Sequence, residues 1–515
     1  LLIPLLAVAA AVILILFRRQ SPNLPPSPAR LPIIGNLHQI GFLPHRSLKS
    51  LSDRYGPLML LRLGASPVLI VSSSAAAREI MKVQDVVFAD RPYVGMGEKL
   101  FYGSRDLAFA PYGEYWRQMR SICAIHLFSI KKVESFSRIR EEEVSNTINK
   151  IRAIGTSSSS AVVNLSEMIV KYTNDVICRA TLGRKYGDDS DGERFKDLLA
   201  ELARILGTVD FEDYIPWLGR WINRFNGFDS RIDGLARELD EFLESILRQR
   251  REKTKKKEIN EEEEESSSSF IDILLEFQME NRIKSPVEDE AIKAVILVSR
   301  LIYTGNYFEG VFFFFGSKQD MFAAGTDTIS TAIEWTMAEL LKNPTSMKIL
   351  REEMTSFEIS KANLDEMRYL KAVIKETFRL HPPIPLLMPH KSTRRTTVFG
   401  YDVAPQMRVI INAWAIGQDP SLWEDPEQFK PERFLKDDTA EGIDYRGLNF
   451  ELIPFGAGRR GCPGMAFATS TMLPIIAKLV QNFHLSLPDG EKEIDLEMNE
   501  APGISVTKKY PLLVV

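Results

Sequence analysis

A mainly α-helical fold with a minor β portion is predicted for this chain, on the strength of two long helical patterns and a few short strand signals. From Ser129 to Arg152 and again from Arg231 to Lys257, apolar residues recur at intervals of three and four among many Lys, Arg and Glu, as on surface helices. Strand signals are brief. Leu58 to Leu63 and Pro67 to Val71 are apolar runs on either side of Gly64, Ala65 and Ser66, which reads as a β-hairpin. Small strands are expected again near Thr397 to Tyr401 and Arg408 to Ile411. No internal repeat is present, and the Glu and Ser runs within Lys255 to Ser269 predict a solvated loop between helices.

At 515 residues the chain exceeds the usual size of one hydrophobic core, which allows two domains or one large, elaborated domain. Its 65 basic and 69 acidic side chains nearly cancel, so no nucleic-acid partner is implied by charge. With only Cys123, Cys178 and Cys462, a disulfide framework is not expected and a reducing compartment is favoured.

The first segment departs from the globular pattern. Leu1 to Phe17 is continuously apolar apart from Pro4, and Arg18 and Arg19 follow at once. A membrane span needs roughly 20 apolar residues, so residues 1–19 are expected to form a truncated anchor, since the chain starts at Leu rather than Met. The arginines place the rest of the chain on the cytosolic side. Residues 20–35 carry Pro22, Pro25, Pro26 and Pro28 and form a stiff spacer, and residues 36–515 form the catalytic domain.

The most informative segment is Pro454-Phe455-Gly456-Ala457-Gly458-Arg459-Arg460-Gly461-Cys462-Pro463-Gly464. Gly456, Gly458 and Gly461 satisfy G-x-G-x-x-G, but a dinucleotide fingerprint needs a preceding strand, a following βαβ unit and an acidic residue about 20 positions on. Gln481 stands where the acid is required. The glycines instead make a tight loop around Cys462, with Pro463 expected at the first position of a helix running through Met465 and Ala466. A helix N-terminus, unpaired N–H groups and nearby Arg460 all favour thiolate, the form that ligates metal. No second Cys or His lies at zinc spacing, whereas haem iron needs one strong axial ligand.

This segment resembles the haem-binding loop of the cytochrome P450 family, F-x-x-G-x-R-x-C-x-G, through Phe455, Gly458, Arg460, Cys462 and Gly464. The resemblance implies haem b with Cys462 as its iron ligand and Arg460 on a propionate. Lys375-Glu376-Thr377-Phe378-Arg379 and Pro431-Glu432-Arg433-Phe434 are similar to the family's E-x-x-R and P-E-R-F elements, which implies a buried charge cluster of Glu376, Arg379 and Arg433. Ala324-Gly325-Thr326-Asp327-Thr328 looks like its oxygen-activation motif. There Asp327 and Thr328 are expected to relay protons to dioxygen, while Gly325 clears space above the iron. Trp116 and Arg120, at i and i+4, resemble a propionate-binding helix. His390 stands where many relatives carry a propionate-contacting Arg.

The resemblance covers nearly the whole chain and is to plant microsomal members in particular. It implies a monooxygenase of the endoplasmic reticulum membrane, oxidising a small lipophilic metabolite with electrons from an NADPH-dependent reductase. An oxygen-independent haem-thiolate dehydratase or isomerase shares these motifs, and so does an inactive product of an interrupted central helix. Val94 to Phe109, Leu202 to Trp221, Ile384 to Met388 and Pro502 to Ser505 are the expected pocket segments; they are apolar and mixed, and name no substrate.

The family pattern breaks at Val298 to Gln319, which separates Ala291–Leu297 from Asp320–Ala323. Gly305, Gly310 and Gly316 are poor helix-interior residues, and Val311 to Phe315 is an uncharged, β-prone window. A retained intron translated in frame fits this segment. Val codons begin with GT, Gln codons end in AA or AG, and the Phe run implies pyrimidine-rich sequence just upstream. The stretch Arg351 to Lys361 is also shorter than the family pattern.

Overall fold

The structure is a computed structural model. It describes residues 23–157, 161–186, scattered positions from 194 to 212, and 215–259, 268–279, 288–299, 326–355, 361–364, 366–435, 442–490 and 492–515. The expected anchor (residues 1–19), the segment from residue 300 to 319, Ala324 and Gly325 lie outside the described residues.

The helices that frame the site are α1 (Glu114–Ile122), α2 (Ser137–Ser157), α3 (Leu165–Leu182), α4 (Pro216–Phe225), α5 (Phe228–Ile259), α6 (Asp289–Ser299), α7 (Thr326–Lys342), α8 (Pro344–Thr355), α9 (Arg368–Leu380) and α10 (Met465–Asn482). Helix α7 is the axis of the core. Nearly every residue from Thr326 to Leu341 is buried, and α3, α8, α9 and α10 all pack on it. Its buried Asp327, Glu334 and Glu339 therefore depend on partners from the neighbouring elements rather than on solvent.

The β portion is small. A four-stranded sheet runs in the order β1 (Leu58–Leu63), β2 (Ser66–Val71), β7 (Arg408–Ile411), β4 (His390–Lys391), with β2 and β7 parallel and the other pairs antiparallel. The expected hairpin is present: Leu63 faces Ser66 across a two-residue turn, and Gly64 takes the positive φ of 58° that such a turn needs. Two short pairs complete the count among the described residues, β5 (Thr396–Val398) with β6 (Tyr401–Val403), and β3 (Val163–Asn164) with β8 (Leu513–Val514).

Three expected elements differ. The strand expected over Thr397 to Tyr401 is a hairpin, because Phe399 (φ 49°) and Gly400 (φ 81°) turn the chain between β5 and β6. The helix expected from Ser129 breaks at Phe136, whose buried ring packs edge-on against Phe270 at 5.5 Å and Phe467 at 6.4 Å. Helix α5 continues through Lys255 to Ile259, so the charged run begins as helix; Lys and Glu are good helix formers. Residues 260–267 of that expected loop, and 356–360 of the shortened stretch, lie outside the described residues.

Candidate active site

The loop before α10 holds Cys462 by main-chain geometry. The Cys462 N–H donates to the Phe455 carbonyl at 2.9 Å, and Gly461 N–H to the Gly458 carbonyl at 3.1 Å. Gly458 has φ +65°, and a Cβ there would stand 2.1 Å from the Met81 carbonyl, so no other residue fits. The helix begins at Met465 with Gly464 as its cap, so Pro463 lies before the helix rather than at its first position. The Phe455 ring sits edge-on to Phe378 of α9 at 5.2 Å, which ties the loop to that helix.

Cys462 is exposed at its surface yet crowded by protein, and burial raises its thiol, opposed by the Gly464 N–H and the Arg120 cation. Arg120, not Arg460, is therefore the guanidinium that favours thiolate. Its Nη2 donates to the Gly461 carbonyl at 2.6 Å, next to the cysteine. Arg460 turns away, donating from Nε to Ala89 O at 2.6 Å and from Nη2 to Ala110 O at 2.7 Å, and lies 4.1 Å over the ring of Trp116. Trp116 is buried and gives its indole N–H to Leu107 O at 3.0 Å. A bound metal deprotonates a coordinating thiol outright, so the raised thiol is no obstacle to ligation.

His390, in β4, is buried with Nδ1 at 2.8 Å from Phe88 O. Burial, then the Arg91 cation, push its pKa down to about 3, which keeps the ring neutral. Arg91 completes the group and escaped the sequence reading; its only local signal is the Asp90-Arg91-Pro92 run. It donates to Ala108 O at 2.9 Å, Met388 O at 2.8 Å and Pro389 O at 2.6 Å. Burial first, then Arg460, lower Arg91 to about 9, and burial lowers Arg460 to about 10. Buried Arg91 and Arg460 and half-buried Arg120 thus form a cationic group, with Arg460 repelled by both others and neutral His390 packed beside them, next to a single presented sulfur. Asp90 and Asp106 oppose only part of that charge. A cofactor with one thiolate-seeking metal and two carboxylates fits this donor set. No cluster of three or more His, Cys, Asp or Glu side chains able to hold a metal ion occurs among the described residues.

On the α7 side, Asp327 and Thr328 lie in the first turn. Asp327 is buried, and burial raises its carboxyl to about 7 while Ser505 opposes the rise. Thr326 Oγ1, Asp327 Oδ2, Thr331 Oγ1 and Ser505 Oγ have no hydrogen-bond partner among the described residues. Phe101 and Phe109, from the first expected pocket segment, stack at 5.3 Å. Cys123 and Cys178 are fully buried and structural: burial raises Cys123 to about 12, and Cys178 bonds Asn174.

Behind the loop, Arg379 clasps Glu376 with two bonds of 2.8 Å, and Arg433 Nε reaches Glu376 Oε1 at 3.1 Å. Arg379 also donates to the carbonyls of Gly417 (2.7 Å), Pro426 (2.6 Å) and Gln428 (3.1 Å). The expected charge cluster is thus assembled, with the Glu376 and Arg379 side chains wholly buried.

A helical scaffold presenting one cysteine sulfur beside buried cations defines a haem-thiolate class of protein. The chain belongs to the cytochrome P450 family, whose sequence profile matches residues 25–299 and 317–514, leaving 300–316 unmatched. It is similar to cytochrome P450 71A6 of Nepeta racemosa, 49% identical over 503 residues that cover 95% of this chain and 93% of that protein. It is also similar to (+)-menthofuran synthase of Mentha piperita, 46% identical over 99% of this chain and 97% of that one. A zebra fish cytochrome P450 structure with progesterone shares the fold, with a TM-score of 0.71 at 24% identity over 92% of this chain and 99% of that chain. The protein is an oxidoreductase, a haem-dependent monooxygenase like its family.

Proposed function

We propose that this enzyme works at the endoplasmic reticulum membrane, facing the cytosol, and inserts one atom of dioxygen into a small lipophilic metabolite with electrons from an NADPH-dependent reductase. The observation that carries the reading is the presentation of the Cys462 sulfur beside Arg120 and the buried Arg91 and Arg460. Haem b, when bound, supplies the reduction of dioxygen and the oxygen insertion. Cys462 would ligate the iron through Sγ, Phe455 braces the loop, and Arg460, Arg120, Trp116, His390 and Arg91 would hold the cofactor's carboxylates. Asp327 holds a transferable proton at Oδ2, and Thr328 passes it on toward the oxygen site. A carboxyl poised near neutrality suits that task better than one ionised throughout.

The reading makes a spectral test available. The reduced haem-loaded protein is expected to show a red-shifted Soret band with carbon monoxide, and turnover is expected to require both dioxygen and continuing electron supply. A protein that binds haem without that shift, or turns over without dioxygen, contradicts the proposal. Thr328→Ala is expected to lower product formed per NADPH consumed, by at least roughly tenfold for a lost proton-delivery group. Unchanged coupling removes Thr328 from the relay.

Membrane association is supported by the surface. Helix α4 exposes Trp217, Trp221 and Phe225 (65%, 62% and 82%) beside Arg220 and Arg224, and Trp217 shares a surface pocket with Leu31, Pro32 and Ile33 of the spacer. Aromatic and basic residues together on one helix suit a lipid headgroup boundary. No helix among the described residues is long and apolar enough to cross a membrane.

Val298 to Gln319 is proposed to be absent from the mature message, a reading supported by the gap in the family match at 300–316. Transcript sequencing is expected to lack those codons. Deleting them is expected to raise the haem-loaded fraction of expressed protein; an equal or lower fraction contradicts the proposal.

A further inference from the structure

Helix α7 carries a second buried acid that the chemistry above leaves unused. Glu334 stands seven residues beyond Asp327, and Thr331 lies between them at i+4 and i−3, so the three share one face of the helix. All three are buried. The wall opposite them is the C-terminal segment 505–512. Trp335 Nε1 pins that wall by donating to the Val506 carbonyl at 2.9 Å, with Ser505 acting on Asp327 and Lys508 on Glu334. Pairing of β3 with β8 brings the first turn of α3 to the same place. There Ser166 Oγ donates to Glu334 Oε1 and accepts from the Leu512 N–H at 2.7 Å. Ser166 is only half-buried, so the line of polar groups meets the surface at the start of α3.

The seam holds more polar capacity than its own hydrogen bonds use. Thr331 Oγ1 has no partner among the described residues, and Asp327 and Ser505, though they act on each other, close no well-formed hydrogen bond. Buried polar atoms left unpaired are costly, and a row of them suits mobile water that can change partners. Burial raises the Glu334 carboxyl to about 7, against the pull of Ser166 and Lys508 and assisted by the charge of Asp327. Lys508, itself lowered by burial, also faces Glu497, Lys342 and Glu339, and Glu339 is held by His381 at 2.7 Å.

We propose that Glu334, with Ser166 and Thr331, forms an inner proton line that recharges Asp327 from the surface at the start of α3. A proton on the Glu334 carboxyl passes, through water where needed, to the Thr331 hydroxyl, which releases its own proton toward Asp327 Oδ2. Ser166 returns a proton to Glu334 and takes one from solvent, so only Asp327 is changed. Glu334 is thus a positioning and relay residue that acts through Asp327. The inference rests on the monooxygenase reading.

Glu334→Gln preserves shape and can still accept from Ser166, but holds no acidic proton. In the haem-loaded enzyme with its reductase, product per NADPH is expected to fall roughly tenfold, the scale of a lost general acid reduced by parallel supply. The inflection of that ratio near pH 7, to which Asp327 and Glu334 both contribute, is expected to narrow to the single step of Asp327 while the carbon monoxide spectrum stays native. Independently of turnover, infrared titration is expected to show carboxylic C=O bands of both Asp327 and Glu334 that titrate near neutrality in the native protein, one missing from Glu334→Gln and the other from Asp327→Asn. Ser166→Ala is expected to shift the same pH inflection to a smaller degree, and it decides the matter should Glu334→Gln fail to bind haem. A native pH profile in a haem-binding variant, or infrared bands near neutrality that are all retained in Glu334→Gln, overturns the proposal. Asp327→Asn is the control: if it too leaves coupling unchanged, the failure lies in the assignment of Asp327, and the inner line falls with it.

Discussion

Cys462→Ala is expected to abolish the haem-thiolate spectrum and turnover completely, with the helical content of the protein unchanged. The sulfur lies at the surface of its loop rather than in the hydrophobic core, so the alanine variant loses a ligand and no packing. No other residue takes its place. Cys123 is fully buried with its thiol raised to about 12, and Cys178 is fully buried against Asn174. The loop is held by main-chain bonds from Cys462 and Gly461 and by the close approach of Gly458 to Met81, all of which survive the substitution. Circular dichroism and the reduced carbon monoxide spectrum, measured on one preparation, separate loss of ligand from loss of fold. A red-shifted Soret band that persists in the variant removes Cys462 as the iron ligand.

Arg379→Ala is expected to destabilise the protein by about 3 to 5 kcal/mol, the cost of breaking a buried ion pair from one side. It removes both bonds to Glu376, whose side chain is wholly buried, and three to the carbonyls of Gly417, Pro426 and Gln428, the last two bonds only partly buried. Glu376 keeps Arg433 at 3.1 Å and the Lys430 N–H at 2.8 Å, which limits the loss. Arg379→Lys restores the charge but not the planar fork, and is expected to recover only part of it. The damage is also expected to reach the iron site, because Phe378, next in the chain, packs on Phe455 of the cysteine loop. Urea unfolding followed by helical signal and by haem release tests both statements. A midpoint equal to that of the native protein shows that the cluster does not carry this stability.

The elements visible in the sequence are those governed by short-range physics. The β1–β2 hairpin needs only a Gly turn between two apolar runs, and Glu376 meets Arg379 because three residues on a helix are neighbours. The cysteine loop was legible for a like reason, since its glycines answer to local backbone geometry. The break at Phe136 and the turn at Phe399–Gly400 were not legible: the first depends on rings from Phe270 and Phe467, and the second on a positive φ at a phenylalanine.

Within the site the same division holds. Residue types and the family resemblance together marked Cys462, Arg460, Trp116, Arg120, His390, Asp327 and Thr328, but not which of them act on one another. The fold turns Arg460 toward Ala89 and Ala110, leaves Arg120 to act on the sulfur, and adds Arg91 from a loop with no motif of its own. It also sets Ser166 on Glu334, two residues that only the pairing of β3 with β8 and the packing of α3 on α7 bring together.

By itself the amino-acid order determined the class of chemistry, because one cysteine in a glycine-bound loop, an acid beside a threonine and a Glu–Arg pair are each written within a few consecutive residues. Tertiary structure alone decided the electrostatics, because burial by distant segments, joined at His390 by the Arg91 cation, presses His390 neutral and raises the Asp327 and Glu334 carboxyls to about 7.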